Sequence, residues 1–319
     1  MTPRRPRFQL VDRRATREGH DPAAARASMH QRGVPRSLHD HTEAAPDYRL
    51  SADLETAINT ALAVDAPLLL TGAPGTGKTQ VAHYLGWFFG LEVFAFHVQS
   101  TSTAQELCYD FDAVAYLHWA QHGSEAPGEG GGDGQPALRR GRGDFVRKRA
   151  LWRSFDQPNG AVVLIDEIDK APRDFPNDLL HVLDQQWFEH PFEDRKIRPQ
   201  RSPIVVITSN AERRLPDAFL RRCIHQHLTL TRKLVEDIVQ SRLQSSFPGL
   251  SDDVREAAID RFFELADWEL TKPPTTAELL SWLAVLAAQG TRAADLQTVR
   301  RDLPGVHALI KLTEDWQKL

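Results

Sequence analysis

Cysteine is nearly absent. The 319-residue chain holds only Cys108 and Cys223, which excludes a disulfide framework, makes the reduced cytoplasm the expected compartment and reads both thiols as core residues. Lysine is scarce too, 8 residues against 31 arginines, a bias without functional weight because codon composition produces it as easily as selection for guanidinium chemistry. Long apolar runs are missing: stretches such as Ala161–Ile165 and Leu283–Ala288 fall far short of the ~18 residues that span a bilayer, so no membrane insertion is expected. There is no excess of positive charge either. With 43 acidic and 39 basic residues the net charge is −4, which argues against indiscriminate coating of nucleic acid while leaving room for a local basic patch. What is present, 41% hydrophobic and 26% charged residues, suits a soluble globular chain of about two domains.

Residues 1–47 carry nine arginines before residue 37 against Asp12, Glu18 and Asp21, with few apolar residues and no periodicity. They read as a basic, flexible arm, either solvated or docked on a neighbouring subunit or an acidic partner. Residues 48–230 alternate short β-rich runs with helical patterns: Pro67–Thr71, Leu91–Val98, Ala161–Asp166, Ile204–Ser209 and Ile224–Leu230. Five strands separated by helices predict an α/β fold with a parallel, doubly wound sheet. Three runs (Leu68-Leu69-Leu70, Val162-Val163-Leu164-Ile165, Ile204-Val205-Val206-Ile207) are continuously apolar, as strands covered on both faces should be, whereas Ile224–Leu230 alternates like an edge. Residues 121–143 hold eight of the 19 glycines and form a flexible insertion. Residues 231–319 carry amphipathic helical patterns at 232–244, 252–266, 276–288 and 292–317, a helical closing domain.

Gly72-Ala73-Pro74-Gly75-Thr76-Gly77-Lys78-Thr79 fits G-x-x-x-x-G-K-[ST] between a buried strand and an amphipathic helix, the setting a phosphate loop requires. Its glycines let successive N–H groups face phosphates at a helix N-terminus, Lys78 reaches the terminal phosphates of ATP, and the Thr79 hydroxyl suits Mg²⁺. Further on, Asp166-Glu167 ends the second apolar strand, at the edge where open α/β sheets bind ligands. Asp166 suits the Mg²⁺ shell, and Glu167 suits a water in line with the terminal phosphate. Asn210 ends the next strand after Ile207-Thr208-Ser209 and can share that water.

Together with Leu68-Leu69-Leu70-Thr71-Gly72, the segments Asp166-Glu167-Ile168-Asp169-Lys170-Ala171 and Leu215-Pro216-Asp217-Ala218-Phe219-Leu220-Arg221-Arg222 resemble the MoxR-type branch of the AAA+ ATPases over about residues 48–290. The resemblance implies a five-stranded parallel P-loop sheet with an all-α lid, a ring, commonly hexameric, and ATP bound between subunits. It implies chaperone-like remodelling of a protein client, often with a von Willebrand factor A-domain partner. It assigns Arg222, with Arg221 adjacent, as an arginine acting in trans on the transferring phosphoryl group. It places the adenine pocket near Tyr48 and Leu50, which either sandwich the base or simply pack the start of the domain. One departure stands out: relatives often place an arginine at the start of a lid helix, but Lys272-Pro273-Pro274-Thr275-Thr276 has none, so either Lys272 substitutes or the lid senses nucleotide weakly.

Other features stay secondary. Trp187, Phe188 and Phe192 sit in a hairpin-like stretch, and Tyr109, Phe111, Tyr116 and Trp119 in a second insertion; both groups read first as internal packing, second as working surfaces. His225-x-His227 and His39-Asp40-His41 lack the ligand count of a metal cage. Arg139, Arg140, Arg142, Arg147, Lys148, Arg149 and Arg153 form a basic cluster. That cluster keeps a nucleic-acid motor or restriction component open as an alternative. The missing lid arginine keeps open a nucleotide-controlled assembly switch with weak turnover.

Overall fold

The three continuously apolar runs become the interior of one parallel sheet. The computed structural model describes residue 23 and residues 40–122, 142–247, 249–297, 299 and 301–319; most of the basic arm, with His39, and most of the Gly-rich insertion, with Arg139 and Arg140, lie outside the described residues. The chain divides into two compact units, one of Ala52–Gly72 and Val81–Leu228, the other of Ala73–Gln80 and Thr229–Leu319 with the described residues up to Ser51.

In the first unit, α1 (Ala52–Ala63) leads to β1 (Leu68–Gly72), and α2 (Lys78–Phe89) precedes β2 (Val93–His97). The long connection to β5 (Val162–Asp166) contains α3 (Ala104–Cys108), β3 (Tyr109–Phe111), α4 (Ala113–His122), β4 (Val146–Lys148) and α5 (Ala150–Phe155). Then come α6 (Phe175–Gln185), the short strands β6 (Phe188–Glu189) and β7 (Lys196–Ile197), β8 (Ile204–Ser209), α7 (Asp217–Leu220) and β9 (Ile224–Leu228). The sheet runs β2-β5-β8-β1-β9 with every pairing parallel. β5 is buried at all five positions, while β9 alternates in burial, so the strand whose sequence alternates lies at an edge of the sheet, the other edge being β2. On one side Leu69, Val163, Ile165 and Ile207 meet Trp152, Phe155, Phe175 and Phe219 in a common core.

Both insertions are antiparallel pairs packed by their own aromatics. β3 pairs with β4 and β6 with β7. Phe111 meets Phe192 at 4.9 Å, Trp152 meets Phe188 at 5.4 Å, and Tyr116 and Trp119 both meet Phe145 at 5.7 and 5.6 Å. Internal packing is therefore what these rings do in the chain, although Phe192 stays 40% exposed.

The second unit holds α8 (Arg232–Ser246), α9 (Asp252–Ala266) and α10 (Thr276–Gln289) around Phe247, Phe262, Trp282 and Leu283. Thr231 caps α8, and Thr275 with Glu278 forms a capping box on α10, which supplies partners for N–H groups that the first helical turn leaves unpaired. The expected last helix at 292–317 is not continuous: it breaks into short 3₁₀ turns at Ala293–Leu296 and Val306–Ala308 and one turn of helix, α11 (Thr313–Trp316). Pro304-Gly305 sets the turn before Val306. Gly305 has φ +68°, a Cβ there would meet the Trp282 ring at 3.1 Å, and the Trp282 indole donates to Pro304 O at 2.7 Å, so the chain turns where the periodicity alone suggested a straight helix.

Candidate functional site

Parallel pairing aligns the polar ends of the strands. His97 is opposite Asp166, Leu164 opposite Val206 and Leu70 opposite Thr208. The Thr208 hydroxyl donates to Asp166 Oδ1 at 2.7 Å and accepts the Glu167 backbone N–H at 2.9 Å. His97 Nδ1 lies 3.2 Å from Asp166 Oδ2, and Asp166 is almost fully buried. Glu167 adopts a left-handed conformation, φ 60° and ψ 50°, which non-glycine residues seldom adopt without compensating contacts. That turn brings its carboxylate to Asn210, whose Nδ2 donates to Oε1 at 3.3 Å, and to Lys170, whose Nζ lies 2.5 Å from Oε2. Buried Asp169 accepts the N–H groups of Asn210 and Glu212 at 3.3 and 3.1 Å, tying the turn after β5 to the one after β8. The structure thus brings Asp166, Glu167 and Asn210 together, and adds Thr208, His97, Asp169 and Lys170. Thr208 was detectable as the polar break in the apolar run Ile204–Ile207; His97 and Lys170 carried no signal until the register was known.

From Ala73 onward the phosphate loop belongs to the other unit. Gly75 and Gly77 have φ +80° and +86°, conformations that glycine alone adopts without steric cost. Lys78 Nζ donates to Ala73 O at 2.9 Å, and Thr76 Oγ1 does the same at 2.9 Å, so the loop curls round its own ammonium. Ala73 and Pro74 are exposed and Thr79 is half-buried at the start of α2. Tyr48 lies over Gly77, where an added Cβ would meet the ring at 3.1 Å; burial raises its phenol well above the ordinary range. Leu50 is half-buried. Thr275, the cap of α10, lies over Gly75. The segment before Tyr48 is held to the start of α2 by His41 and Gln80, which share two contacts of 2.7 Å. Lys272 is exposed, and its backbone N–H donates to Asp315.

The two candidate arginines differ. Arg222 is engaged within the chain, with Nε 2.6 Å from Asp184 Oδ2 and Nη1 2.9 Å from Ala218 O, whereas Arg221 is exposed and makes no ion pair among the described residues. In the basic cluster Arg147 pairs with Asp112, Lys148 with Asp156, Arg149 with Asp110 and Arg153 with Glu92. His225 and His227 both contact the Thr71 hydroxyl, at 2.8 and 3.0 Å. Among the described residues no group of three or more His, Cys, Asp or Glu is placed to hold a metal ion.

A five-stranded parallel sheet in this order, with a G-x-x-x-x-G-K-T sequence after β1 and Asp-Glu at the end of β5, defines an AAA+ α/β domain. Residues 67–223 match the AAA domain of the dynein-related subfamily, so this segment is an AAA+ ATPase-type domain. Three solved structures are similar over most of the chain. A candidate ATPase from Cytophaga hutchinsonii is 12% identical, with 93% of each chain covered and a TM-score of 0.40. NtrX from Brucella abortus in complex with ADP is 13% identical with a TM-score of 0.46, and the same protein in complex with ATP is 14% identical with a TM-score of 0.47. The matches cover 90% and 93% of this chain but only 60% and 64% of the NtrX chains. No curated protein matches the sequence.

Proposed function

We propose that this protein is a MoxR-like ATPase that binds ATP with Mg²⁺ in an oligomeric ring, hydrolyses it, and uses the cycle to remodel or assemble a protein client. The observation that carries the reading is the placement of Asn210 Nδ2 3.3 Å from Glu167 Oε1 at adjoining strand ends, in a chain whose β1 runs directly into the phosphate-loop sequence. A carboxylate held by an amide accepts a proton-sharing contact from water while the amide orients it. Lys78 and the loop N–H groups neutralise phosphate charge. Thr79 and Asp166 are hard oxygen donors suited to Mg²⁺, which when bound screens the charge of the phosphates. Between the arginines, Arg221 is the better candidate to act in trans, because Arg222 already has a carboxylate partner.

The one-to-one pairing of Arg147, Lys148, Arg149 and Arg153 with acids weighs against the nucleic-acid reading, since neutralised cations release few counterions on a phosphate backbone. A protein client, with or without a von Willebrand factor A-domain partner, is accordingly preferred. The test is Glu167→Gln loaded with ATP: it is expected to bind nucleotide, form rings on a sizing column and retain a protein, with hydrolysis at least tenfold slower. Turnover stimulated by DNA in a salt-dependent way would overturn the client assignment, and failure of Lys78→Ala to lose nucleotide would overturn the site.

A further inference from the structure

At the end of the sheet opposite Asp166 and Asn210, the first unit has an opening. β8 is an interior strand, yet its first two residues, Ile204 and Val205, are only half-buried while the next four are buried. A cavity of about 220 Å³ lies there, lined by these two residues, by buried Leu68 and Phe155 and by half-buried Val182 and Leu183. Its polar side is formed by Asp65, Gln186 and Ser202. Asp65 Oδ2 accepts from Gln186 Nε2 at 3.0 Å and from Ser202 Oγ at 2.8 Å. Ser202 Oγ also touches Gln186 Oε1, so one hydroxyl proton faces two acceptor oxygens. Among the described residues Asp65 Oδ1 has no hydrogen-bond partner and no cation pairs with the carboxylate.

The helices that meet at this cluster add to its charge. Asp65 follows α1 and Gln186 follows α6, both at φ 51°, in a conformation where glycine is the usual residue after a helix. Neither helix has a basic residue in its last turn, so the partial negative charges of two helix C-termini reinforce the Asp65 carboxylate. We propose that this cavity binds a small primary amine with an aryl or branched alkyl body, the body covering the apolar wall and the ammonium donating to Asp65 Oδ1. The body removes Val182, Leu183, Ile204 and Val205 from water. The ammonium brings a positive charge and three donors to a cluster short of both. An anion would meet like charge from Asp65 and from both helix ends, and an alcohol would bring one donor without charge. A cavity of ~150 Å³ accepts benzene, so this larger one accommodates a phenyl ring with a two-carbon amine tail.

The probe is 2-phenylethylammonium, titrated into the full chain at pH 7 by calorimetry, with 2-phenylethanol, 3-phenylpropionate and methylammonium for comparison. Asp65→Asn removes the charge and keeps the turn, because asparagine tolerates a left-handed backbone. Val182→Phe fills apolar space and leaves Asp65 in place. Wild type is expected to bind one equivalent of the amine with a Kd on the order of 0.1–1 mM, as suits so small a ligand. Asp65→Asn and Val182→Phe should each weaken it about fivefold, the modest factor reflecting an exposed carboxylate in the first case. The loss in Asp65→Asn should shrink at about 0.5 M NaCl. The alcohol should bind about fivefold more weakly than the amine, and the anion and methylammonium should not saturate. No saturation by the amine below about 10 mM, equal affinity for amine and alcohol, or an affinity that either substitution leaves unchanged overturns the site. ATP hydrolysis plays no part in these readouts, so the amine site and the ATPase reading fail separately.

Discussion

Thr208 donates to Asp166 across 2.7 Å and, with the same oxygen, accepts the backbone N–H that opens the left-handed turn at Glu167. One buried hydroxyl thus orients two acids with different proposed tasks. Thr208→Val keeps the shape and removes both bonds inside the core. Leaving buried polar groups unpaired costs about 1–3 kcal/mol, so the thermal midpoint should fall, and hydrolysis should fall further than nucleotide affinity because Glu167 loses its backbone anchor. Thr208→Ser should recover most of both. Equal loss of affinity and turnover in the valine variant would show that the hydroxyl serves binding alone.

Gly75 is constrained twice. Its φ is +80°, and a Cβ there would come within 2.5 Å of Thr275 Cβ. A left-handed conformation costs an L-residue about 1–2 kcal/mol, and the contact adds to that. Gly75→Ala should lower the thermal midpoint and weaken ATP binding at least tenfold in a fluorescence titration. Adding Thr275→Gly removes the clash and not the strained φ, so it should restore part of the stability only; full recovery would mean that the backbone conformation is immaterial.

Neither cysteine should behave as a reactive thiol. Burial pushes Cys108 and Cys223 up to about 12, with Asp184 adding to the shift at Cys223. At pH 8 the thiolate fraction is then on the order of 10⁻⁴, and the thiolate is the nucleophile. Iodoacetamide should label neither residue in the native protein within an hour and both after denaturation, as read by intact mass. Native labelling at the rate of free cysteine would contradict the burial.

Asp315 links the end of the chain to the segment before α10. Burial alone would raise its carboxyl, but N–H donors from Thr271 and Lys272, with Lys318 nearby, outweigh that and hold it below the usual carboxylate range. A depressed folded pKa stabilises above the unfolded value, near ~4, and that contribution is lost as pH falls through the folded value. Asp315→Asn should therefore lower the thermal midpoint at pH 7, and the gap to wild type should shrink below about pH 4. A gap that is constant from pH 7 to pH 3 would show that the charge does not matter.

Much of this protein follows from local pattern. The runs at Leu68, Val162 and Ile204 are apolar on both faces, and only a strand at the centre of a covered parallel sheet buries both faces at once; the alternation at Ile224 marked an edge for the converse reason. The phosphate loop was legible because its chemistry is carried by backbone N–H groups and a fixed spacing, which a linear sequence records completely. Asp166, Glu167 and Asn210 were legible as strand ends. Pairwise geometry was not. That Thr208 rather than Ser209 turns to Asp166, that Lys170 grips Glu167, that Arg222 pairs with Asp184 while Arg221 makes no ion pair among the described residues, and that Arg147, Lys148, Arg149 and Arg153 each pair with an acid depend on strand register and packing, some of these contacts joining residues far apart in the chain, as Arg153 and Glu92 do. The same holds for 292–317, where hydrophobic spacing suggested one helix but the Trp282 indole and Pro304-Gly305 impose a turn. Backbone periodicity and turn chemistry are local and survive in the sequence; the partners of a charge are set by packing, which only the folded chain decides.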